Sequence, residues 1–479
     1  MPLLPIFLLR TFAAIISVSW HVPDEIWQSS EIAHYIVFGY GYKTWEWRDN
    51  AEIRSYIHPT LFVPWISLLK TLNINEPYLY ILGPRIIQGI LSFLGDICLI
   101  KAAKLYYERD ISSAKQGFYL LYFGNCFMNF CASRPLINTF ECTITNIALL
   151  LYFRKTTPAL VTVLAFGFVV RPTLILFWLP MALFYLMDLI KNGKATKHFL
   201  CALTIMFGVF VFTFIFESYM YGHWTFPAWN FFKWNIISGV GSFYGTHPLH
   251  WYLSNASLVL WNLALIPIFL SGFAHPNPNL KKPLLCSATF AILGFSLIGH
   301  KEHRFILPLL PVFLLFGGQG LALWRSNKLK KMFLFVYVLL NFLAFTYLSL
   351  IHQSGSTHVM YPYLRQGLSP PANSTVLFLM PCHSTPYQSY LHRPDVNLRF
   401  LTCEPGIGVV DEAEEFYSNP PKWLTENNNK PAEIIILFNR LAVELNKYLV
   451  ELSYDLQQRI FHSHFGSGRI GEEIWVYRR

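Results

Sequence analysis

Charged residues are scarce in this chain, which excludes an ordinary soluble globular protein. Only 13% of its 479 residues are charged, whereas 54% are hydrophobic and 17% are aromatic. Soluble domains carry about 25% charged residues. The composition therefore predicts an α-helical polytopic membrane protein.

Several sequence motifs are also missing. The eight cysteines form no Cys-x-x-Cys pair, so neither a zinc site nor a thioredoxin-like site is indicated. The chain has no Asp-x-Asp, the usual cradle for a metal-bound nucleotide sugar, and no glycine-rich Walker loop. It also lacks an internal repeat and a matching pair of interrupted spans, which weakens the prediction of a secondary transporter.

Apolar runs of the length that a bilayer requires, roughly 20 residues, recur along the chain. Eleven candidate runs lie at 3–20, 77–100, 116–131, 136–153, 158–170, 173–190, 198–219, 254–273, 284–299, 305–324 and 332–351. The first run lacks a basic start and a small-residue cleavage site, so it is predicted to be a retained span. Arg10 in its middle is interpreted as snorkelling to the near interface, with a functional role as the alternative.

Lys and Arg, which give the chain a net charge of +10, cluster in alternate loops. Because basic loops stay cytosolic, this pattern predicts membrane orientation rather than nucleic-acid binding. The cytosolic clusters are Lys101, Lys104, Arg109, Lys115; Arg154, Lys155; Lys191, Lys194, Lys197; Lys281, Lys282; and Arg325, Lys328, Lys330, Lys331. The opposite side receives the loops 21–76 and 221–253, the turn 300–304 and the tail. For a eukaryotic-type chain that side is the endoplasmic reticulum lumen, where Asn373 lies in a glycosylation sequon.

The tail 352–479 differs in character from the apolar module 1–351. Strand-like runs occur at 376–380, 397–401, 433–438 and 473–477, with a helix-like run at 441–452. This alternation predicts a small luminal α/β domain. Cys382 and Cys403 each end a strand-like run, and in an oxidising lumen they either form a disulfide or remain free thiols.

Polar residues recur at helical spacing inside two of the predicted spans. They are Arg85, Gln88, Ser92 and Asp96 in one span and Arg134, Asn138, Glu141 and Thr145 in another. Because a charge in hydrocarbon is costly, both stripes are predicted to face the interior of the bundle. One interpretation pairs Arg85 or Arg134 with Asp96 or Glu141, and the other is contact with a substrate.

The polar segment 21–59 carries the first candidate chemistry. It begins with Pro23, Asp24 and Glu25 and is rich in tryptophan. Acidic groups beside exposed indole faces suit a sugar, and the predicted sugar contacts are Trp27, Trp45, Glu46 and Trp47. Asp24 is either a helix N-cap, with Glu25 as an acid favoured by the helix dipole, or one of the two is the general base for a sugar hydroxyl.

The turn 300–304 carries the second candidate chemistry. His300, Glu302 and His303 could hold a metal, but the His-Glu-x-x-His spacing and a further ligand are missing, so no metal is predicted. Lys301 and Arg304 are either interface anchors or, with His300, ligands of a lipid-linked phosphate. The lack of a nucleotide-sugar cradle favours such a lipid-phosphate donor.

These motifs together resemble a known family. His-x-Pro-Asp-Glu-x-Trp-Gln from His21, Thr-Trp-Glu-Trp from Thr44 and His-Lys-Glu-x-Arg-Phe from His300 are similar to motifs of the dolichyl-phosphate-mannose-dependent mannosyltransferases of the GT-C superfamily. Within that superfamily, the resemblance is closest to the class that adds the third mannose of GPI precursors, the PIG-B class. Further matching landmarks are Arg171-Pro172-Thr173, the stretch 243–248, the stretch 380–387, Asp411-Glu412-Ala413 and the stretch 468–471.

The resemblance implies a GT-C fold of about 11 transmembrane helices and an inverting, metal-independent α-1,2-mannosyltransferase. The donor would be dolichyl phosphate mannose and the acceptor the dimannosyl GPI precursor, in the endoplasmic reticulum lumen and without a further cofactor. Asp24 is implied as the base, with Glu25 as neighbour or substitute, and Lys301 with Arg304 as the stabilisers of the departing phosphate. The alternatives are an N-glycan-precursor mannosyltransferase and a non-enzymatic transporter of lipids or sugar-lipids.

Overall fold

The computed structural model describes residues 3–48, 51–107, 112–273, 278–405, 411–427 and 431–479. The chain forms two compact units, each assembled from separate stretches. The first unit comprises Met1–Ala14, Glu46–His58 and Arg85–Phe345, and the second comprises Ile15–Trp45, Pro59–Pro84 and Thr346–Arg479. The sequence analysis placed a single boundary after residue 351, and that boundary stays a prediction.

Helices dominate the described part of the chain. The α-helices up to residue 221 are Leu3–Ile16, Glu31–Phe38, Ile57–Thr60, Val63–Thr71, Pro77–Tyr106, Ser112–Phe123, Cys126–Ala132, Ile137–Phe153, Thr157–Val170, Ile175–Lys191 and Ala195–Tyr221. The later ones are Pro227–Phe232, Ser257–Trp261, Leu265–Leu270, Pro278–Leu297, Leu310–Ala322, Asn327–Leu350, Gly355–His358, Gln388–Leu391, Glu412–Ser418, Pro420–Asn427 and Asn439–Glu451.

Among the described residues, seven helical stretches are long and apolar enough to cross a membrane. They are Pro77–Tyr106, Pro172–Lys191, Ala195–Tyr221, Tyr252–Leu270, Leu280–Leu297, His303–Ala322 and Asn327–Leu368. The pair Cys126–Ala132 and Ile137–Phe153, bent by 107°, adds an eighth, and Leu3–Ile16 and Thr157–Val170 are shorter apolar helices. Each predicted run overlaps a helix, so the multi-pass membrane protein is confirmed, whereas the number of eleven spans stays a prediction.

The predicted run 116–131 is broken in the structure. Ser112–Phe123 ends before Asn125, whose side-chain oxygen accepts a hydrogen bond from the Met128 N–H at 2.8 Å and so caps a new helix. That helix ends at Ala132, shortly before Pro135. Because a residue that precedes proline avoids the helical region, the bend of 107° follows at this point.

Arg10 is buried inside the first unit, so its predicted snorkelling is wrong. The side chain is 1% exposed, and its Nε donates to Asp96 Oδ2 at 2.8 Å. Asp96 also accepts from the Tyr122 hydroxyl at 2.7 Å, and Arg10 donates to Asn129 at 2.7 Å. A buried charge is tolerated when it is paired and hydrogen-bonded, and both conditions hold here. Asp96 therefore pairs with Arg10, and its predicted pairing with Arg85 or Arg134 is wrong.

A five-stranded mixed sheet forms in the second unit. The strands are β1 (Thr375–Leu379), β2 (Asn397–Phe400), β3 (Ile434–Phe438), β4 (Asp455–Phe461) and β5 (Glu473–Arg478), in the order β2-β1-β3-β5-β4. β1 is parallel to β2 and β3, and β5 is antiparallel to β3 and β4. The predicted α/β domain is confirmed. β4 was missed because this edge strand is almost wholly exposed and shows no apolar alternation.

The two faces of this sheet pack differently, since side chains alternate along each strand. Leu377 and Ile435 face helices of the tail, including Glu412–Ser418 and Asn439–Glu451. The opposite face shares a core with Trp20, Ile26 and Trp27, which precede or begin the helical segment that ends at Phe38. The sheet of the tail therefore supports the segment that carries the candidate base.

Candidate functional site

Asp24 is the first helical residue after Pro23. The N–H groups of Ile26 and Trp27 both donate to the Pro23 carbonyl at 3.0 Å. Proline suits the start of a helix because its missing N–H would have no helical partner there. A carboxylate in this first turn is favoured by the helix dipole. Asp24 is half-buried whereas Glu25 is 1% exposed, so Asp24 is the more accessible acid of the pair.

The helix that follows changes its winding after its first turn. Residues Ile26–Ser30 are π-helical and Glu31–Phe38 are α-helical. Single π turns recur at functional sites. The helix closes at Gly39, which has φ of 78° and donates its N–H to the Tyr35 carbonyl at 2.8 Å. A left-handed residue of this kind at a helix end favours glycine.

Trp27 lies inside an aromatic cluster of the second unit. Its Nε1 donates to the Thr385 carbonyl at 3.0 Å, and the side chain is 3% exposed. Its ring centroid lies 4.6 Å from His383 and 5.3 Å from Phe400. The exposed indole face on which its sugar-binding prediction relied is therefore not present at Trp27.

Glu31 and His34 were missed by the sequence analysis, because nothing in their spacing marked them. The Glu31 carboxylate accepts the backbone N–H groups of Gln388 at 3.0 Å and Ser389 at 2.9 Å. Burial raises the pKa of Glu31 to about 7, against these hydrogen bonds, which favour the charged form. His34 Nε2 lies 3.0 Å from His392 Nδ1.

Both histidines of this pair are held neutral. Burial, and secondarily His392, lowers the pKa of His34 to about 3. Burial, and secondarily Arg365, lowers the pKa of His392 to about 4. The contact is therefore a hydrogen bond between two uncharged rings, in which one nitrogen donates and the other accepts.

The predicted sugar contacts after Trp27 belong to different units of the chain. Trp45 is the last residue of the stretch Ile15–Trp45 of the second unit and is half-buried. Glu46 is the first residue of the stretch Glu46–His58 of the first unit, and its carboxylate accepts a hydrogen bond from Arg54. Trp47 packs on Tyr56 with 4.8 Å between ring centroids and is 3% exposed, so its indole face is covered too. Sugar contact by Trp45 and Glu46 stays a prediction.

The segment around Arg54 is hydrogen-bonded to the end of the helix Ala195–Tyr221 inside the first unit. Glu217 accepts the Tyr56 N–H at 3.0 Å and the hydroxyl of Ser55. The Tyr221 hydroxyl donates to the Arg54 carbonyl at 2.6 Å. These contacts position Arg54, and through it Glu46.

The turn at 300–304 forms a charged cluster in the first unit. Arg304 donates to both oxygens of Glu302, from Nε and from Nη2, each at 2.6 Å. Its Nη1 donates to Asn138 Oδ1 at 3.3 Å, and His300 Nε2 lies 3.1 Å from Glu302 Oε1. A bidentate pair of this kind fixes the plane of the guanidinium. A phosphate bound here would share Arg304 with Glu302.

The charged groups of this cluster stabilise one another electrostatically. Burial would raise the pKa of Glu302, but the Arg304 guanidinium and His300 hold it well below its ordinary range. Burial would lower the pKa of His300, but its hydrogen bond to Glu302 raises it above the ordinary value. Glu302 is thus ionised near neutral pH, and it increases the protonated fraction of His300.

Lys301 points back into its own turn. Its ammonium donates to the carbonyls of Ile298 at 2.6 Å, His247 at 2.9 Å and Gly299 at 3.4 Å, and the residue is 2% exposed. An ammonium has three N–H donors, and these carbonyls take all three. Direct contact between Lys301 and a phosphate would require one of these hydrogen bonds to break.

Arg171 is a second buried arginine near this cluster, and the sequence analysis gave it no role. Its Nε donates to Glu141 at 2.8 Å, so the predicted pairing of Glu141 with Arg85 or Arg134 is wrong. The guanidinium carbons of Arg171 and Arg304 lie 5.7 Å and 5.5 Å from the Phe305 ring centroid. The landmark Arg-Pro-Thr at 171–173 was the signal that could have identified it.

Cys382 and Cys403 form a disulfide, with 5.9 Å between their Cα atoms. His383 brings a third potential metal ligand beside the two sulfur atoms. Because the disulfide leaves no thiolate to bind a metal, this group does not fit a zinc site. Asn373 is exposed, with φ of 63°, at the turn before β1, which suits a glycan acceptor.

Comparison with known proteins gives a consistent result. A family model described as the Alg9-like mannosyltransferase family matches residues 1–392. The GPI alpha-1,2-mannosyltransferase 3 of Danio rerio is 35% identical, covering 99% of this chain and 89% of the relative. The protein of the same name from Homo sapiens is 33% identical, covering 96% of this chain and 83% of the relative.

Among solved structures, ArnT from Cupriavidus metallidurans bound to undecaprenyl phosphate is similar. The match has a TM-score of 0.61 and 13% identity, and it covers 99% of this chain and 97% of ArnT. At that identity the likeness shows the fold alone, and it confirms the predicted fold class.

Proposed function

The chain belongs to the Alg9-like mannosyltransferase family, and we propose that it adds a mannose in α-1,2 linkage to a GPI-anchor precursor. The observation that carries this proposal is the similarity, over nearly the full chain, to relatives named GPI alpha-1,2-mannosyltransferase 3. The acceptor is the precursor that bears two mannoses, so the product bears three.

We further propose that the donor is dolichyl phosphate mannose and that the reaction inverts the anomeric centre without a metal. The acceptor hydroxyl oxygen attacks the anomeric carbon, and its proton passes to Asp24. The bond from that carbon to the phosphate oxygen breaks, and dolichyl phosphate departs with the electron pair. The accessibility of Asp24 supports its role as base. Arg304, with His300 beside it, supplies the positive charge for the departing phosphate.

The reaction is proposed to take place on the luminal face of the endoplasmic reticulum membrane. The support is the Lys and Arg asymmetry, which assigns the loop with Asp24, the turn with Arg304 and the tail to the non-cytosolic side. The disulfide between Cys382 and Cys403 and the exposed Asn373 fit an oxidising, glycosylating compartment.

The function is tested in cells that lack this chain and with purified protein. We expect the cells to accumulate a GPI precursor with two mannoses, and the protein to transfer labelled mannose from dolichyl phosphate mannose to that precursor. Accumulation of a truncated N-glycan precursor would assign the chain to the other mannosyltransferase pathway. Normal precursors in the cells and no transfer by the protein would refute both.

The first prediction concerns topology. In microsomes, endoglycosidase should shift the mobility of the wild-type chain but not that of Asn373→Gln, because the exposed Asn373 is proposed to carry the glycan. The tail should resist protease until the membrane is opened. A tail digested in intact microsomes would place it in the cytosol and contradict the proposed orientation.

The second prediction concerns the phosphate. Arg304→Ala should raise the KM for dolichyl phosphate mannose about 10- to 100-fold, since a charge-assisted hydrogen bond contributes about 1.5 to 3 kcal/mol. Arg304→Lys should recover only part of this, because an ammonium cannot replace the guanidinium fork. Initial rates with labelled donor give the result.

The ion pair with Glu302 requires a matched control for this test. Arg304→Ala alone leaves the partly buried carboxylate of Glu302 without its bidentate partner. Combining Arg304→Ala with Glu302→Gln should restore thermal stability but not the donor KM. Arg325→Ala, at an exposed arginine of a predicted cytosolic loop, should leave both unchanged. If the double variant regained a normal KM, Arg304 would serve the turn rather than the donor.

A further inference from the structure

Three side chains of one luminal helix reach the same distant segment of the second unit. Trp27 donates to the Thr385 carbonyl at 3.0 Å, and His34 lies 3.0 Å from His392. Between them, Glu31 accepts two backbone N–H groups. Trp27, Glu31 and His34 are 3%, 0% and 1% exposed. The helix that begins at Asp24 is thus bound along its length to residues 385–392.

Glu31 makes two of these four hydrogen bonds. Its two oxygens accept from the first two N–H groups of the short helix Gln388–Leu391, at 3.0 Å and 2.9 Å. Such N–H groups have no partner within their own helix, so losing Glu31 would leave both without an acceptor at a buried position. Gly41 keeps this contact open, because a Cβ there would lie 3.1 Å from Glu31 Oε1.

The partner segment begins where an α/β domain usually places its ligand. Residues 380–392 belong to the crossover from β1 to the parallel strand β2, and they leave β1 at its carboxyl end. Crevices at such ends commonly bind substrates. Here the loop contacts the helix instead, and the disulfide from Cys382 to Cys403 joins it to the chain that follows β2.

We propose that the loop 380–392 of the tail positions the catalytic helix, with Glu31 as the positioning residue that orients Asp24 for mannosyl transfer. This inference rests on the proposed function for its catalytic part, whereas the contact between the helix and the loop is observed in the structure. Glu31 lies seven positions after Asp24 on the same helical segment and does not carry out the chemistry. Because a displacement of about 1 Å can reduce a rate about 10²-fold, a loosened helix lowers turnover even when the fold persists.

The test compares Glu31→Ala and Glu31→Gln with Glu444→Ala, a control at an exposed glutamate of the same unit. Turnover is measured on monodisperse protein well below the Tm of each variant, so that the folded fraction is equal. We expect Glu31→Ala to lower kcat by about 10²-fold. The donor KM should stay unchanged, because the proposed donor contact is Arg304. Glu31→Gln keeps one oxygen acceptor and should recover part of the loss.

Hydrogen exchange provides a second readout that does not depend on activity. Glu31→Ala should speed amide exchange in both 24–38 and 385–392, and Glu444→Ala in neither. If Glu31→Ala fails to fold, Glu31→Gln, which has the same shape, gives the same comparison with smaller effects. Unchanged exchange, or faster exchange with normal kcat, overturns the positioning role. A wild-type protein that transfers no mannose overturns the proposed function instead. The exchange data then test only whether Glu31 holds the helix against the loop.

Discussion

Asp24→Asn is expected to lower the turnover of the folded protein by a factor on the order of 10² to 10⁴, because general base catalysis contributes about that much. Asn has nearly the shape of Asp and still accepts a backbone hydrogen bond, but it cannot take up a proton at neutral pH. The Tm should therefore stay close to that of the wild type. Transfer of labelled mannose and a thermal melt on the same preparation measure the two quantities.

Two companion variants separate a base from a helix cap. If Asp24 only stabilises the start of the helix, Asp24→Asn should be active and Asp24→Ala should lose about 1 kcal/mol of stability. Glu25→Gln should keep its turnover per folded molecule, since Glu25 is 1% exposed and is the less accessible acid. An inactive Glu25→Gln beside an active Asp24→Asn would assign the base to Glu25.

The largest loss of stability is expected at the buried pair of Arg10 and Asp96. Asp96→Leu removes the carboxylate that accepts from Arg10 Nε at 2.8 Å and leaves an uncompensated buried charge in the first unit. Breaking such a pair costs about 3 to 5 kcal/mol. We expect Asp96→Leu to lower the Tm sharply and to reduce the amount of monodisperse protein after purification.

A double variant and an exposed pair act as controls. Arg10→Met with Asp96→Leu replaces both charges with apolar groups and should recover most of the lost stability. Lys155→Ala breaks a pair of similar length, 2.7 Å, whose partners Lys155 and Asp188 are 64% and 41% exposed, so its effect should stay within about 1 kcal/mol. If Asp96→Leu melted like the wild type, the pair would not stabilise the bundle.

Composition and local pattern predicted much of the fold. Scarce charge and long apolar runs indicate a membrane protein because the bilayer selects side chains by polarity along the whole span, which a sequence displays directly. Four of the five strands were found because their apolar residues are buried. β4 was missed because its side chains face solvent.

The candidate site was predicted in part. The acids at Asp24 and Glu25 could be identified because tryptophans follow them in a polar segment, and the charged turn at 300–304 because its basic residues lie between two apolar runs. Trp27 could not be judged, since the same indole can bind a sugar or fill a core. Its burial depends on residues such as Phe400, which are distant along the chain.

The sequence by itself determined the membrane class, the approximate apolar runs and the motifs of the family, and it predicts the sidedness of the loops. Only the tertiary structure decided the partners: Arg10 with Asp96, Arg171 with Glu141, and Glu31 with the backbone at Gln388 and Ser389. The physical reason is that helical periodicity shows which face of a helix is polar, whereas pairing depends on which elements are packed together. That packing is set by contacts between residues far apart in the chain, and no local pattern records it.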